Sequence, residues 1–110
     1  MIVCVPVTDD GLVDPRWGRA ERVAIGVLAT NVIQSWQEFE VGWGRLHDAE
    51  TEGGHHARIA RFLQEHQVDA VVANHMGQPM ERMLDKMRIR VHLGAEGPAR
   101  DAALVASDGA

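Results

Sequence analysis

Three short clusters hold the residues of this chain best suited to ligand chemistry: Trp17-Gly18-Arg19, Gly53-Gly54-His55-His56 and Asn74-His75-Met76-Gly77. Imidazole nitrogens and a thioether sulfur are borderline and soft donors, so His55, His56, His75 and Met76 suit soft metals. Arg19 offers a permanent positive charge to an anion, or equally a partner for Glu21 or Asp14. A helix beginning near His55 would disfavour the imidazolium form and keep both rings neutral, the form that ligates metals. Adjacent helical residues point about 100° apart, so His55 and His56 reach one bulky ligand only from a first turn. Each cluster also has an ordinary alternative. Gly53-Gly54 serves as a flexible helix entry, the paired histidines lie on a solvated turn, and Met76 packs beneath the next helix.

The remaining composition excludes several classes. The 110 residues suit one hydrophobic core, read here as a single domain over residues 1–110. No apolar run approaches the roughly 20 residues that span a bilayer, and the strand-like start Met1-Ile2-Val3-Cys4-Val5 is unlike a signal peptide. A cytoplasmic protein with no membrane role is expected. Net charge is −5 and Lys86 is the one lysine, which argues against counterion-driven nucleic-acid binding. The one cysteine, Cys4, excludes an internal disulfide and an all-cysteine metal site within the chain. It sits in an apolar strand and is expected to be a buried thiol.

Periodicity supplies the elements that position these clusters. Ile2–Val7 is an apolar run suited to a strand covered on both faces, with Pro6 as a locally unpaired position. Leu12–Ala20 is irregular. Val23–Ala29 and Val32–Val41 flank Thr30-Asn31 as a hairpin, and Trp36 and Phe39 share a face only if a bulge intervenes. Gly42–Glu52 reads as a polar loop. Ile59, Phe62, Leu63 and His66 form a helical stripe, as do Met80, Met83, Leu84 and Met87 after Pro79. Val68–Ala73 is a further buried strand, and Ile89, Val91 and Leu93 alternate as a half-exposed one. Pro98 opens an Ala-rich helix ending near Ser107. His47, His66 and His92 are expected at the surface or at helix ends.

The order β-β-β-α-β-α-β-α predicts one α/β domain with three helices and a mixed five-stranded sheet, order 3-2-1-4-5, of ribonuclease-H-like type, with strand 2 antiparallel to the rest. Strands 1, 3 and 4 then end on one edge, which the three clusters share. Such edges bind ligands in open α/β sheets. Imidazoles, an arginine and the amides near Gly54 gathered there suit an electron-rich anion such as a metal–sulfur cluster.

Ile2-Val3-Cys4-Val5-Pro6-Val7, the loop from Asp10-Gly11 to Trp17-Gly18-Arg19-Ala20, Val68–Ala73 with a glycine shortly after, and Gly94-Ala95 resemble the dinitrogenase iron–molybdenum cofactor binding family in order and spacing. The resemblance covers essentially the whole chain. It implies the ribonuclease-H-like fold and the binding, storage or transfer of the iron–molybdenum cofactor or its iron–sulfur precursor. One departure stands out. The family often carries His-Phe-Gly-Arg after strand 1, where this chain has Arg16-Trp17-Gly18-Arg19. A ligand offered by the histidine is lost. Either the Gly-Gly-His-His run supplies imidazoles instead, or the chain belongs to a branch with another ligand.

The expectation is a non-catalytic carrier of an iron–sulfur or iron–molybdenum type cluster, bound transiently, with cluster donor and acceptor proteins as partners and an open oligomeric state. His55, His56 and His75 are its expected metal ligands, and Gly53, Gly54 and Arg19 its further binding residues. Two alternatives stand beside it. Three imidazoles leaving an open position would make a zinc enzyme, with Asp9, Asp10 or Glu52 as the nearby carboxylate. Exposed Trp36 and Trp43 would instead anchor a regulatory protein-interaction module.

Overall fold

The computed structural model describes residues 1–49 and 51–108. Glu50, Gly109 and Ala110, within the expected 1–110 domain, lie outside the described residues. Five strands, β1 (Ile2–Val7), β2 (Arg22–Ala29), β3 (Val32–Glu40), β4 (Ala70–Val72) and β5 (Arg90–His92), form one sheet in the order β3-β2-β1-β4-β5. β2 runs antiparallel to β1 and β3, while β4 and β5 run parallel to β1. Strand order and direction are those expected.

The helices are α1 (Trp43–Ala49), α2 (Glu52–Glu65), α3 (Gln78–Lys86) and α4 (Ala99–Asp108), with a single 3-10 turn at Trp17–Arg19. The described residues thus hold four helices rather than three. The segment Gly42–Glu52 is not a polar loop. Gly42 takes φ +57°, which turns the chain out of β3. Trp43 is then fully buried and Leu46, one turn on, packs against the core. Those two apolar side chains at i and i+3 draw the intervening polar residues into helix.

β1 explains the architecture. Cys4 faces a core built with α2, α3 and Trp43, and Val3, Val5 and Val7 face a second core under α4. A strand covered on both faces must be apolar throughout, as Ile2–Val7 is. Each fully buried Val, Ile or Leu stabilises the fold by about 1.5–3 kcal/mol. Pro6 lies past Cys4–Val71, the last register pair with β4, so its missing amide proton falls outside that ladder. On the α4 side, Ala99, Ala102, Ala103 and Ala106 let the helix approach the sheet closely.

A register shift in the β2–β3 pairing leaves Gln34 unmatched, since Val27 faces Ser35 and Leu28 faces Ile33. This bulge lets Ile33 and Trp36 both reach the α4 core, while Phe39 joins the opposite one. Arg100 of α4 stacks over the Trp36 ring at 5.1 Å. Among the described residues no helix is long and apolar enough to cross a membrane.

Burial pushes the Cys4 thiol well above its ordinary range. The folded protein is expected to resist alkylation at Cys4 by iodoacetamide and to react once unfolded in guanidinium chloride, as read by mass spectrometry of the N-terminal peptide. Rapid labelling of the folded chain would contradict a β1 covered on both faces.

Candidate functional site

At the sheet edge where β1 and β4 end, a pocket of about 150 Å3 opens between the Trp17–Arg19 turn, α1, the first turns of α2 and the start of α3. Residues from all three clusters line it: Trp17, Gly18 and Arg19 from the first, His55 and His56 from the second, Met76 and Gly77 from the third. His47, Pro79 and Met80 complete the lining, and no Asp or Glu is among these residues.

Trp17 is 2% exposed and meets the Trp43 ring edge-on, centroids 5.2 Å apart, while Trp43 meets Phe62 the same way at 5.7 Å. This stack seats the 3-10 turn on the core. Trp43 is therefore a core residue, not the exposed anchor expected, and Trp36 is half-buried beneath Arg100. Gly44 lets α1 approach the turn, because a Cβ there would lie 2.9 Å from the Arg19 carbonyl oxygen.

His55 is 1% exposed. Its Nε2 lies 2.7 Å from the Gly18 carbonyl, to which it must donate, leaving Nδ1 to accept from the Arg58 guanidinium at 3.4 Å. Both ring nitrogens are engaged, and the ring acts as a clamp between α2 and the 3-10 turn. His56 is half-buried at the pocket wall. His75 is exposed on the β4–α3 loop, outside the lining that its neighbours Met76 and Gly77 join. Among the described residues no group of three or more His, Cys, Asp or Glu is placed to hold a metal ion.

The glycine run also sits differently from its expected place. α2 begins at Glu52 with Thr51 as its N-cap, so Gly53 and Gly54 are helical. The Gly54 amide, expected to be open to a ligand, donates to Thr51 Oγ1 at 3.1 Å. Gly53 is exposed outside the lining.

His47 is the site residue that sequence reasoning missed. It is half-buried, its ring stands edge-on to His55 at 5.1 Å, and its Nδ1 accepts from Arg19 at 3.0 Å. Arg19 also pairs with Asp48 at 3.3 Å, its side chain 49% exposed. It thus bonds to neither Asp14 nor Glu21. The missed signal was the Trp43–Leu46 spacing, which makes α1 a helix and turns His47 inward. His66 caps α2 and packs on Phe39 and Phe62, and His92 is half-buried on β5.

Arg16, in place of the family's histidine, turns away from the pocket. Its guanidinium and its amide both bond the buried Asp14 carboxylate. Hydrogen bonding to Asp14 and its charge push the Arg16 guanidinium above its ordinary value. Asp9 is almost fully exposed and pairs with Arg22, and Asp10 is exposed. The Glu52 side chain lies outside what the structure describes.

Among the described residues lining this pocket, Trp17 Nε1 is shielded from solvent with no acceptor. A buried donor left unmade costs about 1–3 kcal/mol. The His55 clamp gives a separate expectation. His55→Ala should lose about 2 kcal/mol of stability in urea denaturation, by orphaning the Gly18 carbonyl and opening a cavity. Gly44→Ala should cost about 1–3 kcal/mol by forcing α1 off the turn. Loss of under a few tenths from both would mean that the turn is not held by these contacts.

The solved structures similar to this chain share its fold. PH0822 matches with TM-score 0.79 at 20% identity, over 99% of this chain and 90% of that one. The apo form of the orange protein from Desulfovibrio gigas matches with TM-score 0.78 at 23% identity, over 98% and 88%. The DUF35-family protein TM1290 from Thermotoga matches with TM-score 0.71 at 20% identity, over 98% and 88%. No curated protein matches it in sequence. The model of the dinitrogenase iron–molybdenum cofactor family matches residues 1–108, and the chain belongs to that family.

Proposed function

We propose that this protein binds an anionic metal–sulfur cluster, of iron–sulfur or iron–molybdenum type, reversibly and without catalysing a reaction on it. The observation that carries this reading is the unpartnered indole N–H of Trp17, a residue lining a pocket with no Asp or Glu among its described lining residues, in a chain of net charge −5. Sulfide and oxo groups on a cluster are acceptors that an indole N–H would satisfy. Arg19 supplies positive charge at the mouth, and the start of α3 at Gly77 turns the positive end of a helix toward the same space. The Met76 and Met80 thioethers give a polarizable apolar wall beside the sulfides.

In this reading the cluster is cargo, held chiefly by hydrogen bonds and charge. His55 fixes the turn, and His56 and His47 present imidazole edges. The exposed His75 becomes a ligand only if the β4–α3 loop turns inward. Gly53 and Gly54 allow the first turn of α2 to adjust. Few direct ligands mean modest affinity, which suits handing a cluster from a donor protein to an acceptor. The family and the likeness to the orange protein support a cofactor-related role. The strand order supports assigning the architecture to the ribonuclease-H-like type.

The test is anaerobic titration of the whole chain with a synthetic, water-soluble iron–sulfur cluster, read by visible absorption and tryptophan fluorescence. Trp17→Phe and Arg19→Gln should each weaken binding about tenfold, the loss of one charge-assisted or otherwise unsatisfied hydrogen bond. Wild-type affinity in the double variant would overturn the site. Stoichiometric zinc in purified protein, with no cluster uptake, would overturn the carrier reading itself.

A further inference from the structure

We propose that a second pocket, on the α4 face at the C-terminal end of β5, binds a small neutral molecule with an apolar body and one hydroxyl group that hydrogen-bonds to His92 Nε2. His92 pairs with Val72 in the parallel β4–β5 register, so both residues face α4. His92 Nε2 is shielded from solvent and has no hydrogen-bond partner. His92 also lines a cavity of about 430 Å3, within the range of roughly 300–1,000 Å3 usual for small-molecule sites.

The walls set the ligand's body. Val72, Ala102 and Ala106 are buried apolar floor, and Leu93 and Val105 stand at the mouth, 45% and 67% exposed. Four large hydrophobic side chains are exposed among the described residues, and two of them flank this one opening. The cavity exists because α4 places alanines where longer side chains would fill the space over β5.

The polar groups set the ligand's head. A hydroxyl both donates and accepts, so it satisfies Nε2 in either imidazole tautomer. Glu96 lies at the same mouth and disfavours a carboxylate or phosphate there. A neutral hydroxyl on an apolar body fits both conditions. No residue of this pocket lines the first one, so the inference is independent of the cluster reading.

The experiment is a 1H–15N NMR titration of the whole chain with p-cresol, using p-xylene as the same shape without the hydroxyl. Saturable shifts are expected at residues 92–96 and 102–106, with a change in the His92 Nε2 resonance. p-Cresol should bind about tenfold tighter than p-xylene, and His92→Phe should erase that ratio. Ala106→Leu should abolish binding while leaving the remaining spectrum intact; should that variant misfold, the His92→Phe ratio decides alone. Equal affinities, shifts elsewhere only, or an Nε2 resonance indifferent to p-cresol because ordered water already holds it would each overturn the proposal.

Discussion

One part-buried hydrogen bond holds the candidate site together: His55 Nε2 to the Gly18 carbonyl, joining segments 37 residues apart in sequence. Without it the 3-10 turn would still be held to α1 through Trp17–Trp43, Arg19–His47 and Arg19–Asp48, but the distance from that turn to α2 would be loosely set. With it, the turn, α1 and α2 form a unit whose open side is the pocket. The bond is strong in effect because the His55 ring is buried and the Gly18 carbonyl is partly shielded from water. A lone buried carbonyl or imidazole N–H would carry the full cost of desolvation. The local price of that arrangement is one imidazole that no longer offers a nitrogen to a ligand.

The same contact separates two roles that sequence alone leaves merged. A histidine at a helix start beside glycines reads as a ligand because imidazole chemistry is visible in the residue type. Whether its nitrogens are open depends on what the rest of the chain brings to them. Gly18 supplies an acceptor to His55, and Arg58, one turn along α2, supplies a donor. The pattern Gly53-Gly54-His55-His56 placed the helix start within three residues, yet the N-cap proved to be Thr51, whose hydroxyl takes the Gly54 amide. The N-cap Thr51 and the first helical residue Glu52 were masked by the two glycines that follow them.

The sheet was far more legible than the site. Ile2–Val7 is apolar at every position, which only a strand covered on both faces requires, and that placed β1 at the centre. The two helical stripes ending at His66 and Met87, and the strands after each, then left little freedom in topology. α1 escaped notice because its seven residues carry just two apolar anchors, Trp43 and Leu46, among glycine and charged neighbours. With α1 hidden, His47 and the Arg19–His47–Asp48 contacts were hidden too, since they join a loop to a helix that the pattern did not show. The orphaned Trp17 and His92 nitrogens were invisible for a deeper reason. Being unpartnered is a property of all surrounding atoms, and no spacing within one segment encodes it.

The two pockets lie on opposite faces of the sheet but share one strap of backbone. Gly94 and Ala95 donate to the carbonyls of Asn74 and Ala73, and Asn74 Nδ2 returns a bond to Ala95 O. Two residues beyond Asn74 the chain enters the lining of the first pocket, and Gly94 and Ala95 line the second. These three bonds fix the loop after β4 to the loop after β5, so neither wall moves without stretching the other. The parallel strands make this unavoidable. Their C-terminal ends emerge side by side, and the amides that leave the β4–β5 ladder find their acceptors in the neighbouring loop. The edge is thereby tied together where β4 and β5 end, and the two pockets open on either side of that tie.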